Sequence, residues 1–527
     1  MTARNCPIFP SRRFLRAALP AAACLTASTA LAAPPSALIA RGRYLATAGD
    51  CAACHTAPGA RPFAGGYNVK TPFGTIPTPN ITPDKTSGIG WMTEADFYHV
   101  MHDGIGYHGE YLYPAMPFPW YTHVSRADDD AIFAYLKTQA PVTTPARAPH
   151  LAFPFNLRAG LVAWRAAFFS PGHFTPDPHQ SAAVNRGAYL VQGLGHCGAC
   201  HDANMLAGDS KFAGKLHGGG IDGWYAPSLI PGSSGLADWS VPQLVGFFRH
   251  GHAPGSGVVL GPMAQVVHES LSHLSTTDLT DIALYLKSLP AGHGAPPAPV
   301  TTAAANDTGA NDTGASDAGA NLYLSHCAFC HGQHGKGMPG LIPALAGNGA
   351  VTAGGPQNVI SIVLRGHLAQ AGYGPMPAVG AGLSDAQIAA IANYVRASWG
   401  NHAPATAGPG LVGPLREAAN TMLADPNRSC APIANPALNA ALAPGSAAAQ
   451  ALASLTTDHI LGPLDTTLAD LKKAAPQATD AERVNAITAA YCPIVAAAHL
   501  SQSQAATRLG NIAMLSWGQL HQPGGRN

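Results

Sequence analysis

The feature that most constrains this chain is a five-residue motif, Cys-x-x-Cys-His, which occurs at residues 51–55, 197–201 and 327–331. With 10 Cys and 24 His among 527 residues, chance predicts only about 0.01 such motifs. The motif attaches a c-type haem: both thiols bond to the haem vinyl groups, and the His supplies the proximal iron ligand. A redox dithiol or half of a zinc site would not need a His at the same place three times. The sequence therefore predicts three haem c groups. The predicted thiols are Cys51, Cys54, Cys197, Cys200, Cys327 and Cys330, and the predicted proximal ligands are His55, His201 and His331.

The first residues predict export. Arginines precede an Ala/Leu-rich stretch that ends in Ala30-Leu31-Ala32, a small-x-small cleavage site, so we expect a cleaved signal peptide at residues 1–32. Because haem c is attached to a chain after its export, this predicts a bacterial periplasmic protein, held at the membrane surface. A twin-arginine signal and a lipid anchor at Cys24 are the alternatives, and both match their motifs poorly.

Composition excludes some classes of function. The net charge is +1, and no basic run with interleaved aromatic residues appears, so no nucleic-acid partner is predicted. The most apolar later stretch, residues 484–500, is interrupted by Asn485, Thr488 and Pro493. We therefore predict no transmembrane helix, and membrane association that is peripheral.

The chain repeats one order of elements three times: helix, haem motif, loop rich in Gly and Pro, Met, and a final helix. Ser125, Ser275 and Ser384 are predicted to cap the final helices. The opening helices carry Gly42, Gly187 and Gly319, which would let the first and last helices cross closely; the alternative is that these glycines belong to flexible linkers. We place the units at residues 36–144, 181–295 and 319–403, with an aromatic connector at 145–180 and a flexible linker at 296–318.

Residues 404–527 carry no haem motif and are Ala-rich with helical spacing, so they predict a helical extension of unknown role. A capping box begins at Thr479. Cys430 and Cys492 are compatible with a disulfide in an oxidising compartment, and two free buried thiols are the alternative.

The second iron ligand decides what a haem can do, because a haem with two protein ligands is suited to electron transfer. One Met lies before the last helix of each unit, and Met/His ligation raises the haem potential. The predicted ligands are Met116, Met263 and Met376. The alternatives are core methionines, Met338 in the third unit, or bis-His ligation. The histidines available for the last are His99, His102, His108, His250 and His252.

A proline occurs at a matching position behind each haem motif: Pro79, Pro227 and Pro343. The ring nitrogen of a ligating His that does not bind iron needs an acceptor to fix its orientation. We predict that the carbonyl oxygens of these prolines are those acceptors, and a plain turn is the alternative.

Residues 71–74 (Thr-Pro-Phe-Gly), 79–82 (Pro-Asn-Ile-Thr), 222–227 (Asp-Gly-Trp-Tyr-Ala-Pro) and 343–347 (Pro-Ala-Leu-Ala-Gly) resemble the triheme cytochrome c subunits of membrane-bound bacterial dehydrogenases. The resemblance covers residues 36–401. It implies an all-α fold of three tandem class I cytochrome c domains, followed here by the helical extension. It also implies a catalytic dehydrogenase partner that uses pyrroloquinoline quinone, FAD or molybdenum, and electron transfer to ubiquinone.

The sequence thus predicts an electron-transfer subunit without a catalytic site of its own. A free-standing periplasmic electron shuttle and a haem peroxidase are the alternatives. A peroxidase would need one iron with an open sixth position, whereas each unit offers a Met.

Overall fold

The computed structural model describes residues 35–202, 216–232, 236, 238–253, 257–291, 313–368, 372–421, 430, 432–456 and 459–521. The predicted signal peptide lies outside the described residues, as does the predicted linker up to residue 312. The last residues assigned to that linker instead belong to a helix that begins at Thr313.

Helices dominate the described chain, and they follow the predicted order in each of the three units. The first unit contains α1 (Pro35–Ala48), α2 (Cys51–Cys54), α3 (Glu94–Tyr98) continued by a π-helix (His99–Asp103), α4 (Phe118–Tyr121) and α5 (Arg126–Leu136), and α6 (Gly160–Phe168) lies in the connector. The second unit contains α7 (Ala182–Gln192), α8 (Gly198–His201), α9 (Val241–His250), α10 (Gly261–Glu269), a 3-10 turn (Leu271–His273) and α11 (Thr276–Ser288). The third unit contains α12 (Thr313–His326), α13 (Ala328–His331), α14 (Gln357–Arg365), a 3-10 turn (Val379–Gly382) and α15 (Asp385–Ala397). The extension contains α16 (Pro409–Thr421), α17 (Pro436–Ala441), α18 (Ala447–Ala453), α19 (Leu461–Ala474), α20 (Asp480–Ala497) and α21 (Gln502–Leu520).

Short antiparallel strands occur in the loops, which the all-α prediction did not include. They pair β1 (Asn68–Thr71) with β2 (Gly74–Pro77), β2 with β3 (His150–Leu151), β4 (Gly219–Ile221) with β5 (Trp224–Ala226), and β6 (His252–Ala253) with β7 (Gly257–Val258). The β4–β5 turn is made by Asp222 and Gly223, both with positive φ, which is the conformation of a tight hairpin turn. The strands on either side of this turn are too short to be recognised from the sequence.

The first and last helices of each unit cross at a glycine, as the sequence predicts. A Cβ on Gly42 would overlap the carbonyl oxygen of Ala131 and lie 2.9 Å from Cβ of Tyr135. A Cβ on Gly187 would overlap the carbonyl oxygen of Asp281, and a Cβ on Gly319 would lie 2.6 Å from the carbonyl oxygen of Ala390. Only glycine therefore permits this backbone approach, and the linker alternative for these glycines is wrong.

The final helices start at the predicted caps. The side chains of Ser125, Ser275 and Ser384 each accept a hydrogen bond from the backbone N–H three residues later, and Thr479 forms a complete capping box with Glu482. These short polar side chains satisfy N–H groups that have no partner inside the helix. Each helix start is thus fixed by local chemistry.

The first two units share one apolar core, whereas the third has its own. Helix α16, which the sequence predicts to be part of the extension, supplies Val412, Leu415 and Ala419 to the core of the third unit. Arg416 of α16 pairs with Asp385 at 2.8 Å and donates to the carbonyl oxygens of Gly380 and Leu383. The third unit is therefore completed by residues beyond 404.

The rest of the extension forms a separate small core that is closed by the disulfide between Cys430 and Cys492. The alternative of two free thiols at these positions is therefore wrong. None of the described helices combines the length and the apolar character that crossing a lipid bilayer requires.

Candidate haem sites

Each Cys-x-x-Cys-His motif forms one short helical turn directly after the opening helix of its unit. The backbone N–H of His55 donates to the carbonyl oxygen of Cys51 at 2.9 Å. The equivalent bonds, from His201 to Cys197 and from His331 to Cys327, measure 2.9 and 3.0 Å. Because residues four apart lie on one face of a helix, this turn brings the first thiol and the imidazole to the same side.

The predicted proline carbonyls lie next to the proximal histidines. The distance from Nδ1 of His55 to the carbonyl oxygen of Pro79 is 2.8 Å. The corresponding distances are 2.7 Å from His201 to Pro227 and 3.2 Å from His331 to Pro343. Since a carbonyl can only accept, Nδ1 carries the proton and Nε2 keeps its lone pair, which is the arrangement an iron ligand needs.

Burial keeps these imidazoles in the ligating form. It lowers the pKa of His55, His201 and His331 below the usual value, although the hydrogen bond to each proline acts in the opposite direction. A neutral imidazole can bind a metal, whereas imidazolium cannot. The setting of the three rings, buried for His201 and His331 and half-buried for His55, therefore favours metal binding.

A glycine with positive φ completes each of these proximal loops, which sequence reasoning missed. Gly65, Gly218 and Gly337 donate their N–H to the carbonyl oxygens of His55, His201 and His331 at 2.8, 2.7 and 2.9 Å. A Cβ on these glycines would come within about 2.5–3.0 Å of the proline carbonyl groups. The available signal was the recurring order of motif, glycine and proline, although the spacing between them differs from unit to unit.

The three candidate methionines are half-buried, in contrast to Met101, which is 3% exposed in the core. Met116 borders the same apolar core as Cys51, and Met376 borders the same core as Cys327. Met263 lies on the first turn of α10, and not in the loop that the sequence suggested. Pro262 at the helix start explains this, because proline fits the first turn of a helix.

Two of the alternative ligands have other contacts. His102 uses both ring nitrogens: Nδ1 lies 2.8 Å from Asp103 and Nε2 lies 2.7 Å from the carbonyl oxygen of Gly172. Met338 packs with Leu341 against Val484 and Ala513 of the extension. Both ring nitrogens of His102 are therefore engaged elsewhere in this arrangement, whereas Met338 remains the alternative to Met376.

Buried N–H donors without acceptors test whether the sites suit haem c, which carries two propionates. In the part of the chain that the structure describes, Nε1 of Trp120, Nε of Arg365, and Nε and Nη2 of Arg396 are such donors. Arg365 is 2% exposed and Arg396 is fully buried. Burial lowers the pKa of both, in the case of Arg396 to about 10. Nη1 of Arg396 donates to the carbonyl oxygens of Val351, Ala353 and Gly355, and Arg365 has Asp222 nearby, so each cation is partly compensated. The remaining N–H groups can still donate to an anion, and in this respect the two residues fit haem c.

The haem motifs of the first two units lie side by side. A Cβ on Gly49, just before the first motif, would lie 3.3 Å from the side chain of Leu194 and 3.5 Å from Sγ of Cys51. Burial raises the pKa of the unmodified Cys200 thiol to about 12, and the neighbouring charges of Asp222 and Cys54 add to the rise. Groups attached to these two motifs would be neighbours.

The second and third units meet along β5 and α14. The backbone N–H of Tyr225 donates to Asn358, whose Nδ2 donates back to the carbonyl oxygen of Tyr225, both at 2.9 Å. Arg365 lies over the ring of Trp224 at 5.4 Å, and Trp224 in turn packs against Gly261 beside Met263. This fixes the two units relative to each other.

Comparison with known proteins agrees with this geometry. The family model "Cytochrome c" matches residues 39–140, and the model "Cytochrome C oxidase, cbb3-type, subunit III" matches residues 314–395. The cytochrome c subunit of the quinone alcohol dehydrogenase of Gluconacetobacter polyoxogenes is 40% identical over 75% of this chain and 88% of its own length. The gluconate 2-dehydrogenase cytochrome c subunit of Pantoea cypripedii is 40% identical over 72% and 90%.

A third relative is longer than this chain. A subunit of the nicotinate dehydrogenase of Pseudomonas putida is 40% identical over 71% of this chain, which spans 31% of that protein. Cytochrome c domains imply covalently bound haem c, and the two matched models indicate at least two of them. The chain belongs to the family of cytochrome c subunits of dehydrogenases.

Proposed function

We propose that the protein carries three haem c groups, one in each of three tandem class I cytochrome c domains, and passes electrons from a catalytic dehydrogenase subunit to ubiquinone. The observation that carries the proposal is the threefold recurrence of one proximal arrangement. In each unit a Cys-x-x-Cys-His turn, a glycine with positive φ and a proline carbonyl lie in the same relation. Similarity to dehydrogenase subunits supports the direction of electron flow.

The role of the chain's own residues follows from their chemistry. Bound haem c supplies the reversible one-electron change of iron. The proline carbonyls hold the imidazole planes, and Met116, Met263 and Met376 are the proposed sixth ligands, whose soft sulfur favours the reduced metal. Arg365 and Arg396 offer buried positive charge to propionates. The apolar cores keep water away, so that little reorganisation accompanies each electron.

The connector is the proposed docking surface for the catalytic subunit and the membrane. Its inner side packs on the first unit, since Phe118 contacts Trp164 and Phe169 edge-on. Its outer side exposes Phe153 and Val162 to 78% and 56%. Exposed apolar residues in one segment indicate an interaction surface. We place the protein at the periplasmic face of the inner membrane, with peripheral attachment and a partner of the pyrroloquinoline quinone, FAD or molybdenum type.

The test uses the complex extracted gently from native membranes. Ethanol, gluconate, fructose and nicotinate are added in turn, and the absorbance of reduced haem is followed. We expect rapid reduction by one of them, followed by reoxidation when a short-chain ubiquinone is added. Haems that only dithionite reduces would contradict the dehydrogenase partner and favour a free-standing shuttle.

The iron ligands are tested by single Met→Ala variants at 116, 263 and 376. Each should let carbon monoxide bind one reduced haem, because the sixth position opens. Met338→Ala is the matched control, since Met338 is also half-buried but packs against the extension. A wild-type protein that already binds carbon monoxide would favour a haem with an open position, as a peroxidase requires.

A further inference from the structure

The extension packs on both loops of the third unit that lead to its candidate iron ligands. One loop follows His331 and contains Leu341, which is 6% exposed and packs with Val484 of α20 and Ala513 of α21. The other loop carries Met376 and lies against α21. The two loops are themselves joined, because the N–H of Gly374 donates to the carbonyl oxygen of Leu341 at 2.8 Å.

The backbone of Met376 is held in a short bridge. Its N–H donates to the carbonyl oxygen of His367, and the N–H of His367 donates to that of Met376, both at 2.8 Å. The residue before this bridge, Gly366, has φ +66°, and a Cβ there would come within 2.6 Å of Cβ of Ala506 on α21. The residue after it, Leu368, is 2% exposed and belongs to the core of the extension. The bridge is therefore anchored to the extension through its flanking residues.

The loop on the other side of Met376 meets α21 directly. The backbone N–H of Ala378 donates to Oγ1 of Thr507 at 3.3 Å, and that hydroxyl donates to the carbonyl oxygen of Ser503 at 2.8 Å. One turn further, a Cβ on Gly510 would lie 2.8 Å from Cδ of Pro377. A proline ring cannot turn away as a flexible side chain would, so this contact requires glycine.

Helix α20 adds a contact to the proximal loop. Nδ2 of Asn485 donates to the carbonyl oxygen of Gly340 at 2.8 Å, and Oδ1 of Asn485 lies 3.4 Å from where a Cβ on Gly374 would be. The same side chain thus touches both loops. The extension contacts the third unit on both sides of the place where its haem would be attached.

We propose that helix α21 is a clamp that fixes the Met376 loop and keeps the thioether on the iron of the third haem. Thr507 and Gly510 are positioning residues in this clamp: they act through Pro377 and Ala378, which flank the proposed ligand. The inference rests on the proposed His/Met ligation of the third haem. Release of the loop should leave that iron five-coordinate while the ligands of the other two haems stay in place.

The test compares Gly510→Ala with Gly518→Ala in the full-length haem-loaded protein. Both glycines lie in α21, but apart from the chain neighbours and the local helix backbone no atom of the described residues lies within 4 Å of a Cβ on Gly518. The readouts are carbon monoxide binding by the reduced protein and the near-infrared charge-transfer band of ferric His/Met haem. We expect Gly510→Ala to bind carbon monoxide at one haem and to lose about one third of the band, as Met376→Ala does, because one of three haems loses its Met. Gly518→Ala should match wild type.

Thr507 gives a milder test that does not crowd the helix. Thr507→Val removes the acceptor for the N–H of Ala378 at nearly constant volume, whereas Thr507→Ser retains it. Carbon monoxide should bind the third haem at least several-fold faster in the Val variant, and the Ser variant should restore the wild-type rate. This pair decides the matter if Gly510→Ala does not fold.

The outcomes separate this inference from the one on which it rests. If Met376→Ala leaves the band and carbon monoxide binding unchanged, the proposed ligand is wrong. If Met376→Ala opens the haem but Gly510→Ala and Thr507→Val behave as wild type, the ligand is right and the clamp is wrong. A double variant, Met376→Ala with Gly510→Ala, should show no further change.

Discussion

The first two units and the third unit build the same candidate haem-binding arrangement but stabilise it with different neighbours. In the first two, the opening helix of one unit caps the final helix of the other. Tyr44 donates to Asp278 at 2.6 Å, and Tyr189 donates to Asp128 at 2.6 Å. The N–H groups of Ser275 and Ser125 in turn donate to these two phenolic oxygens, both at 3.1 Å. The exchange is reciprocal, so these units form a pair with approximate twofold symmetry.

An arginine completes each of these contacts within its own unit. Arg41 donates to Asp128 at 2.7 Å, and Arg186 donates to Asp278 at 2.9 Å. In the third unit the corresponding positions hold Ala318, Asn321 and Gln387. Asn321 is exposed, and the closing helix is covered by α16. The paired units thus share an arginine and a tyrosine within the opening helix and an aspartate in the first turn of the final helix, whereas the unit without them is covered by the extension.

The largest expected effect concerns the extension, which has no counterpart in the first two units. Replacing Cys430 and Cys492 by Ser removes a cross-link between residues separated by 62 positions. Chain entropy alone assigns such a cross-link about 4 kcal/mol of stability. We expect the extension to unfold more readily and the proposed third haem to become open to carbon monoxide, while the haems proposed for the first two units keep their ligands. Equal opening of all three haems would show that the units are not independent.

The next effect compares the three helix crossings. Gly42→Ala and Gly187→Ala should each lower the free energy of unfolding by about 1–3 kcal/mol or more, because the new Cβ overlaps a backbone carbonyl. Gly319→Ala should lower the free energy of unfolding by less, since its Cβ would approach the carbonyl oxygen of Ala390 less closely, at 2.6 Å. Gly246→Ala is the control, because it lies inside α9 with no described atom within 4 Å and should stabilise by about 0.5–1 kcal/mol. Denaturant unfolding measures the series, and equal losses at 42 and 319 would contradict the geometry.

A buried acid distinguishes the first unit from the other two. Asp129 is fully buried, and neither of its carboxylate oxygens has a hydrogen-bond partner among the described residues, at a position where the other units have Leu279 and Ile388. Burial raises its pKa from 3.8 to about 8. Between these values the folded protein holds a proton that the unfolded chain releases, so stability should fall as pH rises from about 4 to 8.

Asp129→Asn should remove this dependence of stability on pH. We expect the free energy of unfolding at pH 8 to change by about 2 kcal/mol, which is less than the full pKa shift implies because local rearrangement lets water reach the group. Thermal unfolding at pH 5, 6.5 and 8 gives the measurement. Asp130→Asn serves as control, because Asp130 pairs with Arg126 near the surface at 2.7 Å. If the stability of the Asp129→Asn variant still falls as pH rises, another group causes the dependence.

The smallest effect tests the pairing of the first two units. Tyr44→Phe and Tyr189→Phe should each cost about 1 kcal/mol, because each removes one hydrogen bond to a partly buried carboxylate. A double-mutant cycle of Tyr44→Phe with Asp278→Asn isolates the contact between the units. Tyr107→Phe, at an exposed position, should have no effect. A coupling energy of zero for Tyr44 and Asp278 would mean that the apolar core alone holds the pair together.

Much of each unit could be predicted because its determinants are local. The Cys-x-x-Cys-His turn, the serine caps and the crossing glycines act within a few residues or recur in matching order. The proline acceptors could be located because the repeats align. The reciprocal pairing could not be predicted. Arg41, Tyr44 and Asp128 each have an identical residue at the matching position of the second unit, but no local sequence signal indicates that Tyr44 contacts the other unit.

Long-range packing limits the prediction elsewhere as well. Because residues beyond 404 carry no haem motif, α16 was predicted to belong to the extension, whereas its apolar face completes the core of the third unit. The glycines at 65, 218 and 337 read as ordinary loop residues until their contact with the prolines is seen. Arg365 and Arg396 lie in the last turns of their helices, and no local sequence signal shows that neighbouring elements bury both.

We propose that each of the three motifs binds one haem. The most direct measurement is the intact mass of the mature, haem-loaded chain, together with three variants in which both cysteines of one motif are replaced by Ala. We expect three haem masses on the wild-type chain and one fewer in each variant. A wild-type chain with two haems, or a variant that loses none, would contradict it.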